Sequence, residues 1–361
     1  MMLVTNHATI TDNQDRTMIF DMFVKNKELI IIGSSPKPAI PIDKISVSIN
    51  DNELKIKSMI IKDCYSESYR VFIFDCNYID SHIQVTVNYD NVCKTLLLNN
   101  INGDMQNKYK LTITTCFQGD YELFPMWYDY YTKQGVEHFY MYYNGILTDA
   151  VKDILNKPNV TLHEWCFNYW SPYGNRLHFA QMGQIQHALY KYGKDSSEYM
   201  IFCDLDEYLY IHNKTILNKI SSNDNIDQIE FHNYWCKRMD DTIPECFPLK
   251  FYIEDNAKLD SGRRKCLYKV SNINGLSVHC WRNNKSILEN EEDRKKYYEC
   301  ESNFPYISRN GFNKIKIVNY GIMFHFKTSK FPSKFSFGSI IFPDNIPRDM
   351  KSNRYDFCEI K

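Results

Sequence analysis

The periodicity of this chain changes once, near residue 107. Up to about residue 105, short alternating or β-branched runs follow one another between polar turns: KISVSIND, ELKIKSMII, YRVFIFDC, HIQVTVNYD and CKTLLLNN. No helical period interrupts them, and such a succession predicts a small antiparallel β-sandwich. It holds no cluster of catalytic residue types, so an accessory or docking role is expected of it. From about Lys110 strands and helices alternate instead. YKLTITTCF reads as a strand. DYELFPMWYDYYTKQG reads as a helix, with Leu123, Trp127, Tyr128 and Tyr131 at three- and four-residue steps, Pro125 in its first turn and Gly135 as its stop. The strand VEHFYMYY, a helix near 147 to 156, the strand NVTLHEWCF and a long helix from about Asn175 to Tyr192 follow. Repeated βαβ units predict an α/β fold, a doubly wound and mostly parallel sheet. A chain of 361 residues exceeds what one compact domain usually holds. The expected division is residues 1–107 as the sandwich and 108–361 as the α/β domain.

Composition excludes several classes. Lys+Arg number 43 against Asp+Glu 44, for a net charge of -1. A nucleic-acid footprint would need a basic excess or stripe, so none is expected. The twelve cysteines are spread singly from Cys64 to Cys358 with no CxxC pair, which removes zinc-ribbon and thioredoxin readings. The start MMLVTNHATITDNQDR lacks the basic end and apolar core of a signal peptide. No apolar run approaches the ~20 residues that span a bilayer. A cytoplasmic protein with free thiols is the expectation, and the sequons at Asn159, Asn213 and Asn284 are then chance matches. The aromatic share of 15% is high, and the burial tendency of such side chains assigns most of it to core.

The segment EYMIFCDLDEYLYI, residues 198 to 211, carries the chemistry. Five apolar residues, Tyr199 to Cys203, run into Asp204, Leu205, Asp206 and Glu207. A run buried on both faces is what a parallel strand needs, and ligands of open α/β sheets bind beyond the carboxyl ends of such strands. Side chains two apart in an extended segment point the same way. Asp204 and Asp206 are thus expected to reach one point while Leu205 returns to the core. Two converging carboxylates repel unless a cation lies between them, and hard oxygen ligands suit Mn²⁺ or Mg²⁺. Glu207 is either a support behind those ligands or a helix-start charge. Two reaction classes use such a site. A haloacid-dehalogenase-like phosphatase would use Asp204 as nucleophile, but Tyr208 stands where its motif has Thr or Val. A nucleotide-sugar transferase of the GT-A type would use the cation against a diphosphate.

DYELFPMWYDYYTKQGVEHFYMYYNG, QMGQIQHALYKYG and YMIFCDLDEYLYI together resemble the family 92 glycosyltransferases and the related family-2-like group. FHNYWCKR, RRKCLYKVSNINGLSVHCW and YGIMFHFKTSKF resemble that family's later segments in the same order. The resemblance covers roughly residues 110 to 335. It departs at Gln118-Gly119-Asp120-Tyr121-Glu122, where the family has Asn-Glu or Lys-Asn-Glu, and at Tyr143-Asn144-Gly145, where it has an Asp. Both departures fall in loops that hold the nucleobase in GT-A enzymes.

The resemblance implies a GT-A fold and a metal-dependent transfer of a hexose, galactose being the favoured one, from a UDP-sugar donor to a glycan or glycoprotein acceptor with inversion. Asp204 and Asp206 are then ligands of the metal and diphosphate, joined by His279 or His325. Lys265 is expected to neutralise a phosphate, and Gln181 to hydrogen-bond the donor. Asp241, with Asp240 as competitor and Glu245 behind, is the candidate general base. Trp235 and Tyr234 are candidate walls for the acceptor sugar, while His232 and Cys236 make no convincing metal pair. A non-catalytic glycan-binding protein is the third class, in which Asp206→Ala would change nothing.

Overall fold

The computed structural model describes residues 1–34, 44–64, 67–78, 80–101, 108–173, 178–211, 214–222, 228–238, 251–252, 260–278, 282–283, 316–326 and 358–359. The first part of the chain forms β1 (Met2–Val4), β2 (Ile10–Thr11), β3 (Thr17–Lys25), β4 (Glu28–Gly33), β5 (Ile45–Ile49), β6 (Asn52–Glu53), β7 (Ile56–Cys64), β8 (Glu67–Asp75), β9 (His82–Tyr89) and β10 (Val92–Asn99). Two antiparallel sheets result, one in the order β2-β3-β4-β8-β7 and one in the order β10-β9-β5-β6. Asn26-Lys27 and Asn50-Asp51 supply the tight hairpins, both residues of each pair at positive φ, as a two-residue turn matched to strand twist requires.

The two sheets bury different amounts, and the sequence pattern follows. β5 and β9 alternate buried with open positions, one face on the core and one toward solvent. β3 is buried at all nine positions. Met18, Met22 and Val24 face the interior of the sandwich, against Val47 and Val85. Phe20 and Phe23 face the other way, into a core shared with the second half of the chain.

That half comprises β11 (Tyr109–Phe117), α1 (Phe124–Lys133), β12 (His138–Tyr143), α2 (Asp149–Ile154), β13 (Val160–Glu164), α3 (Ala180–Ala188), α4 (Lys194–Ser196), β14 (Ser197–Phe202), β15 (Glu207–Ile211), α5 (Ile216–Ser221), β16 (Gln228–Arg238), β17 (Phe251–Tyr252), β18 (Asp260–Lys269), β19 (Gly275–Leu276), β20 (Arg282–Asn283) and β21 (Lys316–Phe326). The large sheet runs β1-β13-β12-β11-β14-β18-β16-β21-β15. From β1 to β14 every pairing is parallel. β18 then joins β14 antiparallel, and β15 pairs with β21 at the far edge. This is the mixed, mostly parallel α/β sheet expected. One detail differs from the division at residue 107: Met2–Val4 lies on the edge of the large sheet beside β13, not in the sandwich.

Period-two alternation decides which face each strand residue serves. Phe139, Met141 and Ile201 pack under α1 with Trp127 and Tyr131. Tyr140, Tyr142, Met200 and Phe202 pack on the opposite face under α3. Gly135 ends α1 as expected, at φ +94, and its missing Cβ leaves room for the Leu217 side chain. The long helix expected to Tyr192 is α3, continued by a π-helical turn over Leu189–Gly193 and then α4. All nine residues of α3 are buried, because the sheet lies on one side and the sandwich on the other. Gly183 is one point of close approach: a Cβ there would lie 2.6 Å from ring carbons of Phe20.

Candidate active site

The chain leaves β14 at Phe202 and enters β15 at Glu207, so Cys203 to Asp206 form a turn at the carboxyl end of a central parallel strand. Leu205 is fully buried in the α1-side core, as expected. The turn is laced from inside. The Asp204 amide donates to Glu207 Oε2 at 2.8 Å, and the Glu207 amide donates to the Asp204 carbonyl at 3.2 Å. The Trp127 indole N–H donates to that same carbonyl at 3.0 Å. Tyr131, also on α1, donates its hydroxyl to the Glu207 carbonyl and accepts the Leu209 amide, both at 3.0 Å. These bonds fix the backbone from which Asp204 and Asp206 project.

Both carboxylate oxygens of Asp204 are engaged. Gln181 Nε2, from α3, donates to Oδ1 at 2.9 Å. Lys265 Nζ, from β18, donates to Oδ2 at 3.0 Å and also meets Glu207 Oε2 at 3.1 Å. Burial alone would depress the Lys265 ammonium, but Asp204 and Glu207 outweigh it and hold it well above its ordinary value. Three residues from distant parts of the sequence, Gln181, Asp204 and Lys265, thus meet at one point. Lys265, expected to face a phosphate, faces the two carboxylates.

A fourth carboxyl lies beside the turn. Asp120 follows β11, whose parallel pairing with β14 brings both strand ends to the same side of the sheet. Its Oδ1 is buried with no hydrogen-bond partner among the described residues. Burial, together with the charges of Asp206 and Asp204, pushes this carboxyl up to about 7. Tyr169 adds a wall, its hydroxyl 3.3 Å from Gln181 Oε1. Asp120, Asp204, Asp206 and Glu207 lie around this turn and Lys265 brings a positive charge against them, but among the described residues no three of these carboxyls bring their oxygens close enough together to share an ion. Hard oxygens with surplus negative charge are the kind of donors a divalent cation such as Mn²⁺ or Mg²⁺ would neutralise, and because Lys265 Nζ already holds Asp204 Oδ2 an ion there would have to share that carboxylate with it.

The remaining sequence candidates divide by location. His325 lies on β21 in register with Glu207 on one side and Trp235 on the other, and Phe324 is in register with Tyr234. Strand pairing thus brings the backbones of His325 and Trp235 alongside the carboxylate turn. His279, Asp240 and Asp241 lie outside the described residues. Sequence reading passed over Asp120, Trp127 and Tyr131 as site residues. The signal for Asp120 was a Gly-Asp turn directly after a strand parallel to β14. Asn144, at the other departure from the family pattern, is buried and donates to the carbonyls of Trp165 and Phe167 at 2.8 and 2.7 Å. An Asp has no N–H to make those bonds, so Asn serves the backbone there.

A second polar cluster, His7, Asp21 and His187, is the group among the described residues whose atoms lie close enough to share an ion. Asp21 Oδ2 already receives His187 Nε2 and Lys191 Nζ, each at 2.8 Å. Its Oδ1 receives the amides of Ala8 and Met22. The Lys191 ammonium holds the place of a cation, so an ion could enter only by displacing it.

No curated protein matches the chain. The solved structure of the mannosyltransferase Ktr4p from S. cerevisiae is similar at 11% identity and a TM-score of 0.24, over 37% of this chain and 41% of that one. The chain therefore spans about two fifths of that protein's length. Residues 110–351 match the description Glycosyltransferase family 92. That match covers more than half of the sequence and takes in Asp120, Gln181, the carboxylate turn, Lys265 and His325, so the chain belongs to glycosyltransferase family 92.

Proposed function

We propose that the protein transfers a hexose, galactose being the first candidate, from a UDP-linked donor to a glycan or glycoprotein acceptor, with inversion and with Mn²⁺ or Mg²⁺. The observation that carries this reading is the rigid carboxylate turn at the end of β14. Asp204 and Asp206 project there beside Asp120, inside the family 92 region. Asp204 and Asp206 would hold the cation, with His325 or His279 as a further ligand. The chemistry it supplies is neutralisation of the departing diphosphate. Gln181 and Lys265 fix the Asp204 carboxylate so that it need not reorganise when the donor arrives. Asp120 Oδ1, buried and without a hydrogen-bond partner among the described residues, accepts an N–H or O–H of the donor nucleotide. Asp241 or Asp240 takes the acceptor proton, and Trp235 and Tyr234 flank the acceptor.

Family membership sets aside the phosphatase and the non-catalytic glycan-binding readings. No described helix is long and apolar enough to cross a membrane. A reducing, cytoplasmic setting belongs to the proposal and is supported by free Cys93 and Cys166 on the surface. The test is nucleotide release over a panel of nucleotide sugars with Mn²⁺, Mg²⁺ or chelator. UDP release that requires the cation and is lost in Asp204→Asn is expected. Absence of release and of donor binding with every nucleotide sugar would refute the reading.

A further inference from the structure

Trp170 is half exposed, at 51%, and among the described residues the other large apolar side chains so open are aliphatic: Met2, Leu3, Leu97 and Ile146. Its neighbour Trp165 on the same segment is fully buried. Trp170 is nonetheless held in place. Its ring meets Tyr169 edge-on at 5.1 Å and lies 4.9 Å from the His178 ring, and its backbone bridges to His178. An indole left open to water forgoes part of its hydrophobic gain, and a fixed one offers a flat apolar face at little cost in conformational freedom.

The position of that face gives it a meaning. Tyr169 reaches Gln181 Oε1 at 3.3 Å, and Gln181 reaches Asp204 Oδ1 at 2.9 Å. Two hydrogen bonds therefore connect the residue beside Trp170 to the carboxylate turn, within the length of a short oligosaccharide. We propose that Trp170 is the stacking platform for a pyranose of the acceptor glycan, one that presents a C–H face beyond the sugar being modified. This rests on the transferase reading above and adds a subsite on the β13–α3 side, apart from Trp235 and Tyr234 on β16.

The experiment measures transfer to lactose, mannotriose and N-acetylchitotriose, using the donor and cation that give UDP release. Saturation-transfer NMR maps the acceptor protons that touch the protein. Trp170→Ala should raise the acceptor KM about tenfold, as expected for losing one packed aromatic contact, while the donor KM rises less than about twofold. Trp170→Phe should recover most of the acceptor affinity, which a simple folding defect would not allow. Equal acceptor KM values in wild type and Trp170→Ala would overturn the platform. So would a wild type that releases UDP yet neither modifies nor binds any of the three glycans. Loss of binding to phosphatidylserine vesicles as the main effect of Trp170→Ala would also overturn it, in favour of membrane contact. A wild type that releases UDP from no donor would instead overturn the transferase reading itself.

Discussion

Lys265→Met removes one charge from the candidate site while keeping most of the side chain's volume. In the native chain the Lys265 and Glu207 side chains are 4% and 3% exposed and lie 3.1 Å apart. Asp204, the other partner, is 35% exposed, so water screens its share and the cost falls chiefly on Glu207. Removing one member of a buried pair costs about 3–5 kcal/mol, because the other charge stays in the interior without compensation. Urea unfolding of wild type and variant at pH 7.5, compared at constant slope, reads it directly. Mn²⁺ should stabilise the variant more than the wild type, since both cations balance the same carboxylates. A deficit under about 1 kcal/mol would show that Lys265 and Glu207 are solvated and that the charge argument is wrong.

Two other outcomes follow from buried groups away from the carboxylate turn. Gly183→Ala should destabilise the protein by about 1–3 kcal/mol, since its methyl group meets the Phe20 ring; Phe20→Leu in the same chain should recover part of this in thermal unfolding, and additive losses would refute the contact. Burial holds His187 down at about 3, His138 at about 4 and His163 well below its ordinary value. These are bases with depressed values, so the folded state keeps them neutral while the unfolded chain protonates near pH 6.5. Their contribution is complete above that pH and is lost as pH falls, at up to about 1.4 kcal/mol per unit for each histidine. Denaturation midpoints that stay flat from pH 7.5 to 5 would contradict this.

The change of periodicity near residue 107 was enough to read a sandwich followed by an α/β sheet, because period two and period 3.6 are set by backbone geometry. Other features were hidden for physical reasons. TMIFDMFVK and ELIIIG do not alternate, since a sheet buried on both faces has no polar side to write into the sequence. Asp204 and Asp206 stood out because a carboxylate after an apolar run has few structural uses. Asp120 did not, because Gly-Asp also suits any solvated turn, and only strand order brings β11 beside β14. Lys265 in GRRKC resembles an exposed basic turn, whereas it lies within β18 and is 3% exposed. Whether a charge faces water or a buried partner depends on contacts across the fold, which local pattern does not record.

The sandwich looked like an accessory, and α3 argues otherwise. A helix buried all round is expected to be apolar, yet α3 carries Gln181, Gln184, Gln186 and His187. Each is matched to a different element: Asp204 at the site, Thr114 on β11, the Leu276 backbone, and Asp21 on β3. Buried polar groups without partners are costly, so these pairings allow α3 little freedom of rotation or sliding. Gln181 and His187 are six residues apart, roughly 9 Å along the axis. The helix that fixes Asp204 is thus itself fixed by Asp21 of the sandwich. Taking the sandwich away would remove the Phe20 ring from Gly183 and leave His187 without its carboxylate. The β-sandwich is therefore structurally part of the candidate active site, one helix behind the carboxylate turn.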